Sequence, residues 1–278
     1  MSFDLDAYFE RIRLAERPAC DPDGLATLQR AHRLAIPFEN LDIRLGRGSA
    51  IDSESVFAKL ITRRRGGYCF EQNRLFCDAL TELGFAVRPL LARVWFGATA
   101  TPGRTHMVLL VTIDGQGWLA DAGFGGSYSP IMPLIDGAEA TAPDGALFRL
   151  TYDKRGWVLS RDGNPATTDG REAGEGWVEQ FSFTLDEVPQ IDLAMSNHWT
   201  ATAPNTRFTD LVVVSIVLPH GFAALTDRAY RRHSAGEDMA GVIDDPRVYR
   251  LRLSMMFGID LTEDEVARLG LFEAVGAD

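Results

Sequence analysis

The sequence predicts an α+β protein: a helical N-terminal third, a compact antiparallel β-sheet or barrel, then a mixed α/β C-terminal part. Three observations carry this. Leu25, Leu28, His32 and Ala35 recur at helical spacing within a first stretch of about 85 residues that reads helical. From about Val87 to Phe183 the pattern becomes short β runs, separated by Asp114-Gly115, Asp144-Gly145 and Asp162-Gly163. Beyond Phe183, short helical and strand patterns alternate.

Taken in order, the first helix stops at Pro37 and a second fits Asp52 to Thr62, with Ser53 or Ser55 as its cap. A third runs from about Tyr68 to Leu83 and ends at Gly84, a residue type that stops helices. The β runs are Pro89–Phe96, His106–Ile113, Trp118–Asp121, Phe148–Tyr152, Trp157–Ser160 and Trp177–Phe183. Then come a short helix near Glu187–Ser196, strands at Leu211–Leu218 and Asp238–Ile243, and helical turns around Pro246–Phe257 and Thr262–Leu269. Thr262 with Glu265 forms a capping-box pattern for the last of these.

A net charge of −11 argues against nucleic acid, whose phosphates demand a basic face. It also gives no long-range attraction for an anionic ligand, so any polyanion must be held by local donors. The N-terminus Met-Ser-Phe-Asp-Leu-Asp lacks the basic start and apolar stretch of a signal peptide. The longest strongly apolar run, Leu211 to Leu218, is far too short to span a bilayer. Cys20, Cys69 and Cys77 make no metal-ligand spacing, and an odd number suits a reducing compartment. The expectation is a cytoplasmic protein without a metal, a membrane anchor or a nucleic-acid partner.

Of the cysteines, Cys69 stands apart. It follows Gly66-Gly67 and sits in the first turn of a helix, where unpaired N–H groups and the helix dipole favour a thiolate and are expected to lower its pKa. Arg63, Arg64 and Arg65 just upstream could add positive potential. Cys69, Asn73, Phe76, Leu80 and Leu83 share one helical face, so the thiol begins a buried stripe. Cys77 and Cys20 read as small core hydrophobes.

A thiol nucleophile needs a base, and the base an orienting group. His32 and His198 read as ordinary, partly buried side chains, His220 as a turn residue and His233 as solvated. His106 opens a strand that turns at Asp114-Gly115 into one ending at Asp121. A two-residue loop pairs Asp121 with Val108 and a four-residue loop pairs it with Leu110. Either register puts Asp121 on the His106 face, and a three-residue loop would not. The loop from Ala122 to Ser127 exposes consecutive N–H groups that can cradle an anion or admit a ligand closely. It lacks the spacing and following helix of a dinucleotide fingerprint.

These residues resemble a known family. Arg65-Gly-Gly-Tyr-Cys69-Phe-Glu-Gln-Asn73 is similar to the arylamine N-acetyltransferase signature R-G-G-x-C-x-E-x-N, and Ile36-Pro-Phe-Glu-Asn-Leu41 to that family's I-P-F-E-N-L segment. Thr105-His106-Met107 and Asp121-Ala-Gly-Phe-Gly125 resemble its histidine and aspartate segments, in the same order, with the close match covering roughly residues 5 to 130. The resemblance implies a helical bundle over 1–85 carrying the nucleophile, a β-barrel over 86–190 carrying the histidine and aspartate, and an α/β lid over 191–278. It also implies a Cys69–His106–Asp121 site on a cysteine-protease-like (transglutaminase-like) core. The implied reaction is ping-pong transfer of acetyl from acetyl-CoA to arylamines, arylhydrazines or N-hydroxyarylamines, as in xenobiotic metabolism. By position, Phe38, Trp95, Phe124 and Phe208 are candidates for an aromatic substrate wall. Thr105, Gly125 and Gly126 are candidates for contact with CoA. No lysine cluster marks the CoA phosphates, which implies backbone or solvent-exposed binding. A homo-oligomer is compatible with all of this. Alternatives are an amide synthase using a longer acyl donor, a transglutaminase- or protease-like cysteine hydrolase, and a silent binding protein, against which the intact trio counts.

Overall fold

The computed structural model of the chain describes residues 3–164 and 175–272, so Met1 and Ser2 of the N-terminal reading lie outside it. The N-terminal part comprises α1 (Leu5–Ile12), α2 (Pro22–Ala35), β1 (Phe38–Glu39), α3 (Leu41–Arg44), α4 (Ser53–Phe57) and α5 (Cys69–Leu83). The cap of α4 is Asp52, whose carboxylate accepts the Ser55 N–H, and not Ser53 or Ser55. Asp52 is the last residue before the helical backbone begins, the position from which an oxygen reaches the open N–H groups. The helix then widens into a π turn over Ala58–Thr62, with the Arg63 N–H reaching back to the Ala58 carbonyl. Helix α5 ends at Gly84, whose φ of 94° is a left-handed conformation that favours glycine.

The middle of the chain supplies β2 (Ala86–Val94), β3 (His106–Ile113), β4 (Gln116–Ala120), β5 (Met132–Pro133), β6 (Ala138–Thr141), β7 (Leu147–Asp153), β8 (Gly156–Asp162) and β9 (Trp177–Phe183). They form one antiparallel sheet in the order β5-β4-β3-β2-β9-β8-β7-β6. The connection between Pro133 and Ala138 brings its two edges together, so the sheet curls into a nearly closed barrel. Strand β3 shows why the barrel and bundle meet there. Met107, Leu109, Val111 and Ile113 pack into the helical core, while Val108 enters the barrel core. That is the period-2 alternation of a strand buried on both faces.

The C-terminal part contains α6 (Gln190–Thr202), α7 (Arg207–Asp210), β10 (Val213–Leu218), β11 (Gly221–Thr226), β12 (Ala229–Ser234), β13 (Glu237–Val242), α8 (Pro246–Phe257) and α9 (Glu263–Arg268). Strands β11 and β12 had no counterpart among the expected strands. The four-stranded meander takes β1 as a fifth strand against β10, so a piece of the N-terminal part completes the C-terminal sheet. A third core lies beneath this sheet, centred on Val214, Leu225, Tyr249 and Leu253. Among the described residues no helix is long and apolar enough to cross a membrane.

Candidate active site

Cys69 is the first residue of α5, and its thiol position is fixed by what the preceding glycines allow. The Gly67 N–H donates to the Pro37 carbonyl at 3.2 Å, and the Gly67 carbonyl accepts the Glu39 N–H at 3.0 Å. A Cβ on Gly66 would lie 2.2 Å from the Pro37 oxygen, and one on Gly67 would lie 2.8 Å from the Glu71 Cβ. Only glycine lets the loop lie this flat against β1. Beneath it is a buried ionic cluster. Glu71 Oε2 accepts the Tyr68 N–H at 3.0 Å, and its Oε1 meets Lys59 Nζ at 2.8 Å. Lys59 also contacts Asp42, and Arg65 pairs with Glu39 at 2.9 Å. Arg65 is thus engaged by carboxylates and Arg64 leans toward Glu10, so neither is committed to the thiol.

The expectation of a thiol pKa lowered by the helix start is overturned. Burial pushes the Cys69 thiol above its ordinary value, and the nearby Asp121 charge adds to this. The backbone N–H groups of Met107 and Phe70 oppose the rise without cancelling it. Cys69 Sγ lies 3.8 Å from the Thr105 carbonyl oxygen. Desolvation outweighs the dipole because the thiol is only 3% exposed. A thiolate here needs a cation formed beside it, which makes a proton-accepting neighbour obligatory.

That neighbour is supplied by the β3–β4 hairpin. Ile113 pairs with Gln116 across the two-residue Asp114-Gly115 turn, both of whose residues have positive φ. Carrying this register onward places Asp121 opposite Val108, on the His106 face. His106 Nε2 and Asp121 Oδ2 are 2.7 Å apart, with both side chains at most 3% exposed. Burial raises the Asp121 pKa, but His106, the Asn73 amide and the Gly123 N–H outweigh it and hold the carboxyl below the usual range. With Nε2–H given to the carboxylate, the neutral ring presents Nδ1 as an open acceptor. The imidazole is packed edge-on to Phe124 and tilted against Phe181, at centroid distances of 5.0 and 5.2 Å.

Three polar residues that the sequence reading gave no role stabilise this arrangement. Asn73, four residues after Cys69 on α5, donates to Asp121 Oδ1 at 2.9 Å and to the Met107 carbonyl at 2.6 Å, and accepts the Ala122 N–H at 2.9 Å. Its signal was its position in the signature and on the Cys69 face. Gln29 of α2 accepts the Asp121 N–H at 2.8 Å. Arg33, one turn on, collects the carbonyl oxygens of Ala122, Gly125, Gly126 and Ser127 at 3.0–3.4 Å, so the glycine loop is tied down from behind. Nothing in local sequence marks Gln29 or Arg33, because their partners lie about 90 residues away.

A cavity of about 640 Å³ opens above Cys69 and His106. Phe38, Phe124, Phe208, Thr105, Gly125 and Gly126 all line it. Trp95 does not: its Nε1 donates to Ser182 Oγ at 2.9 Å and Arg155 lies over its ring, while Val94 and Phe96 line the cavity. Trp95 follows the last residue of β2, where the chain enters a turn, and its ring is held toward Ser182 and Arg155 instead of the cavity. Phe38 and Phe208 lie 5.8 Å apart and Phe208 meets Tyr68 edge-on, forming one aromatic wall. The Gly126 N–H donates to Ser215 Oγ at 2.9 Å. The C-terminal part adds Trp199, Thr206, Arg207 and Arg231 to the lining. The sequence reading gave none of these a role in the site, and it found no lysine cluster for the CoA phosphates, expecting backbone or solvent-exposed binding.

Comparison with known proteins is consistent across sequence and structure. A family model described as N-acetyltransferase matches residues 21–266. The chain is 36% identical over 269 residues to an arylamine N-acetyltransferase / N-hydroxyarylamine O-acetyltransferase of Salmonella typhimurium, covering 95% of this chain and 91% of that protein. It is 36% identical to an arylamine N-acetyltransferase of Mycolicibacterium smegmatis, covering 94% of each. Among solved structures, the Salmonella typhimurium arylamine N-acetyltransferase superposes with a TM-score of 0.88 at 32% identity, covering 96% of this chain and 98% of that one. A Mycobacterium marinum arylamine N-acetyltransferase in complex with CoA superposes with a TM-score of 0.85 at 30% identity, covering 96% and 98%.

Proposed function

The chain belongs to the arylamine N-acetyltransferase family and is an acetyl-CoA-dependent acyltransferase; from that premise we propose that Cys69 carries the acetyl group, with His106 as acid and base and Asp121 as its orienting carboxylate. The observation that carries this reading is the buried His106–Asp121 pair at 2.7 Å, beside a thiol that burial alone would keep protonated. A thiol so placed ionises only by handing its proton to a neighbour, and His106 Nδ1 is the acceptor available.

In the first half-reaction, His106 Nδ1 takes the Cys69 proton as Sγ bonds to the acetyl carbonyl carbon. The resulting oxyanion is met by backbone N–H groups at the start of α5. Its collapse breaks the bond to the CoA sulfur, which leaves with the proton held by His106. In the second half, the arylamine nitrogen attacks the Cys69 thioester and gives a proton to His106. Collapse then releases the N-acetylarylamine and restores the thiol. Asp121 stabilises the imidazolium in both halves without taking its proton.

The cavity suits the two substrates in different ways. Phe38, Phe124 and Phe208 offer faces for a flat aryl ring, and about 640 Å³ is an ordinary size for a small-molecule site. Arg207 and Arg231 are the cationic lining residues we assign to the phosphates of CoA, with Thr105, Gly125 and Gly126 along its arm. In a chain of net charge −11 such local cations have to do what the surface field cannot.

The test is to incubate the protein with acetyl-CoA alone and map the acetyl adduct by mass spectrometry. It is expected on Cys69, and aniline should then discharge it as N-acetylaniline. Turnover that survives unchanged in Cys69→Ser would sink the mechanism.

A further inference from the structure

A second cavity, of about 730 Å³, lies where α1, α2, β10 and α8 meet, and the proposed chemistry makes no use of it. Among the described residues its charged lining consists of Arg11, Arg13 and Arg64, with no acidic side chain. This is unusual in a chain carrying eleven more acidic than basic groups. The rest of the wall is largely apolar, with Leu34 of α2, Ile216 and Leu218 of β10, and Met255 and Phe257 of α8. Met255 is 79% exposed. With Val248 and Leu251 it extends the apolar wall as a stripe along the outside of α8.

Among the described residues no carboxylate hydrogen-bonds to any of the three guanidiniums. Arg11 is buried and donates to the backbone carbonyls of Leu60 at 3.0 Å and Ala35 at 2.6 Å. These acceptors satisfy its N–H groups without cancelling its charge. Burial, and then the charges of Arg64 and Arg13, bring the Arg11 pKa down to about 10, as expected where like charges crowd. Arg13 makes no ion pair among the described residues, and Arg64 reaches only the exposed Glu10, at 3.7 Å. Both have left-handed backbones, with φ of 56° and 53°. Such conformations cost a non-glycine residue about 1 kcal/mol or more. Two arginines thus stand where glycine would be easier, and both turn toward the same cavity.

We propose that this cavity is a binding site for a single-tailed amphipathic carboxylate. Its head would be held by the Arg13 and Arg64 guanidiniums, and its tail laid along Leu34, Ile216, Leu218 and Met255. Guanidiniums bind carboxylates through paired N–H donors. The apolar wall gains by burying an alkyl chain, and the exposed Met255 can adapt to it. Phe257 is the one aromatic ring among the described lining residues and is only 2% exposed, so no open ring face is offered to stack a base, which disfavours a nucleotide. The volume is within the ordinary range for small-molecule sites.

Titration calorimetry of the full chain with decanoate, CoA being present in excess to fill the active-site cavity, tests the proposal. Saturable binding is expected. Methyl decanoate, which keeps the tail and lacks the charge, should bind about tenfold more weakly, and Arg13→Glu with Arg64→Glu should weaken decanoate by about tenfold or more. Both positions are exposed, and thermal melting of the double variant verifies that it folds. Met255→Asp is a second variant, expected to weaken decanoate from the tail side. Absence of saturable binding, equal affinity in the arginine double variant, or displacement of decanoate by CoA would each overturn the proposal.

Discussion

The two oxygens of Asp121 do different things. Oδ2 meets His106 Nε2, while Oδ1 accepts from both Asn73 Nδ2 and the Gly123 N–H. Asn73→Ala therefore removes one of two bonds to Oδ1 and leaves the buried Ala122 N–H without its acceptor. Each lost buried bond costs about 1–3 kcal/mol. Turnover should fall by about tenfold or more while CoA affinity holds, and steady-state kinetics with a thermal melt separates a misoriented His106 from a failed fold. Gly123 is the other constraint. A Cβ there would lie 2.7 Å from the Cys69 carbonyl oxygen and 2.7 Å from Asn73 Nδ2. Gly123→Ala must push apart the Cys69 backbone and the Asn73 amide that supports Asp121, so activity should fall even though overpacking costs only about 1–3 kcal/mol of stability. An alanine variant with normal kcat would show that the loop has slack. At this scale the sequence was informative where chemistry has a spacing. Cys69, His106 and Asp121 were legible, but the thiol's raised pKa was not, because burial is a property of the packed core.

Elements were legible in proportion to the strength of their local signals. The β3–β4 hairpin followed from Asp114-Gly115, whose two positive φ angles suit the tight turn. The last helix followed from its capping box, with the Thr262 side chain accepting the Glu265 N–H. Strands β11 and β12 were missed because Ala223-Ala224 and Arg231-Arg232-His233 are poor strand signals. These segments become strands by pairing with β10 and β13 in a sheet that one face buries. Helix α2 carries the clearest prediction at this scale. His32 Nε2 donates to Gln72 Oε1 at 2.7 Å, its Nδ1 accepts from Tyr8 Oη at 2.9 Å, and Gln72 Nε2 donates to the Pro37 carbonyl at 2.7 Å. Burial brings its pKa down from 6.5 to about 3. Below pH 6.5 the unfolded chain takes up a proton that the folded chain refuses. His32 is thus compatible with full stability above pH 6.5, and stability is lost progressively as pH falls toward 3. A melt series across that window should show the loss, and His32→Gln should flatten it. An unchanged slope in the variant would assign the acid sensitivity to other groups.

At the scale of the whole molecule the cavity is made by three stretches of chain that are distant in sequence, and their junction was the least legible part. The aromatic wall pairs Phe38 with Phe208 across 170 residues, held by a side chain that belongs to neither ring. Asn40 Nδ2 donates to the carbonyls of Phe208 at 2.8 Å and Leu211 at 2.7 Å, and its Oδ1 accepts the Val213 N–H at 2.8 Å. One buried amide thus fastens β1 to α7 and to the start of β10. Its motif was visible in the sequence, but the partners it bonds lie in the C-terminal part, where the resemblance was weakest. Asn40→Ala would leave three backbone groups to find water or stay unpaired. The α7 segment should loosen while the Cys69–His106–Asp121 geometry, built on α5 and β3–β4, stays in place. The expected signature is therefore a split: the KM for the arylamine rises by about tenfold, the rate of Cys69 acetylation by acetyl-CoA changes much less, and amide hydrogen exchange quickens over 206–213. A variant whose exchange in that segment is unchanged would mean that packing of Phe208 against Phe38 and Tyr68 suffices to hold the wall.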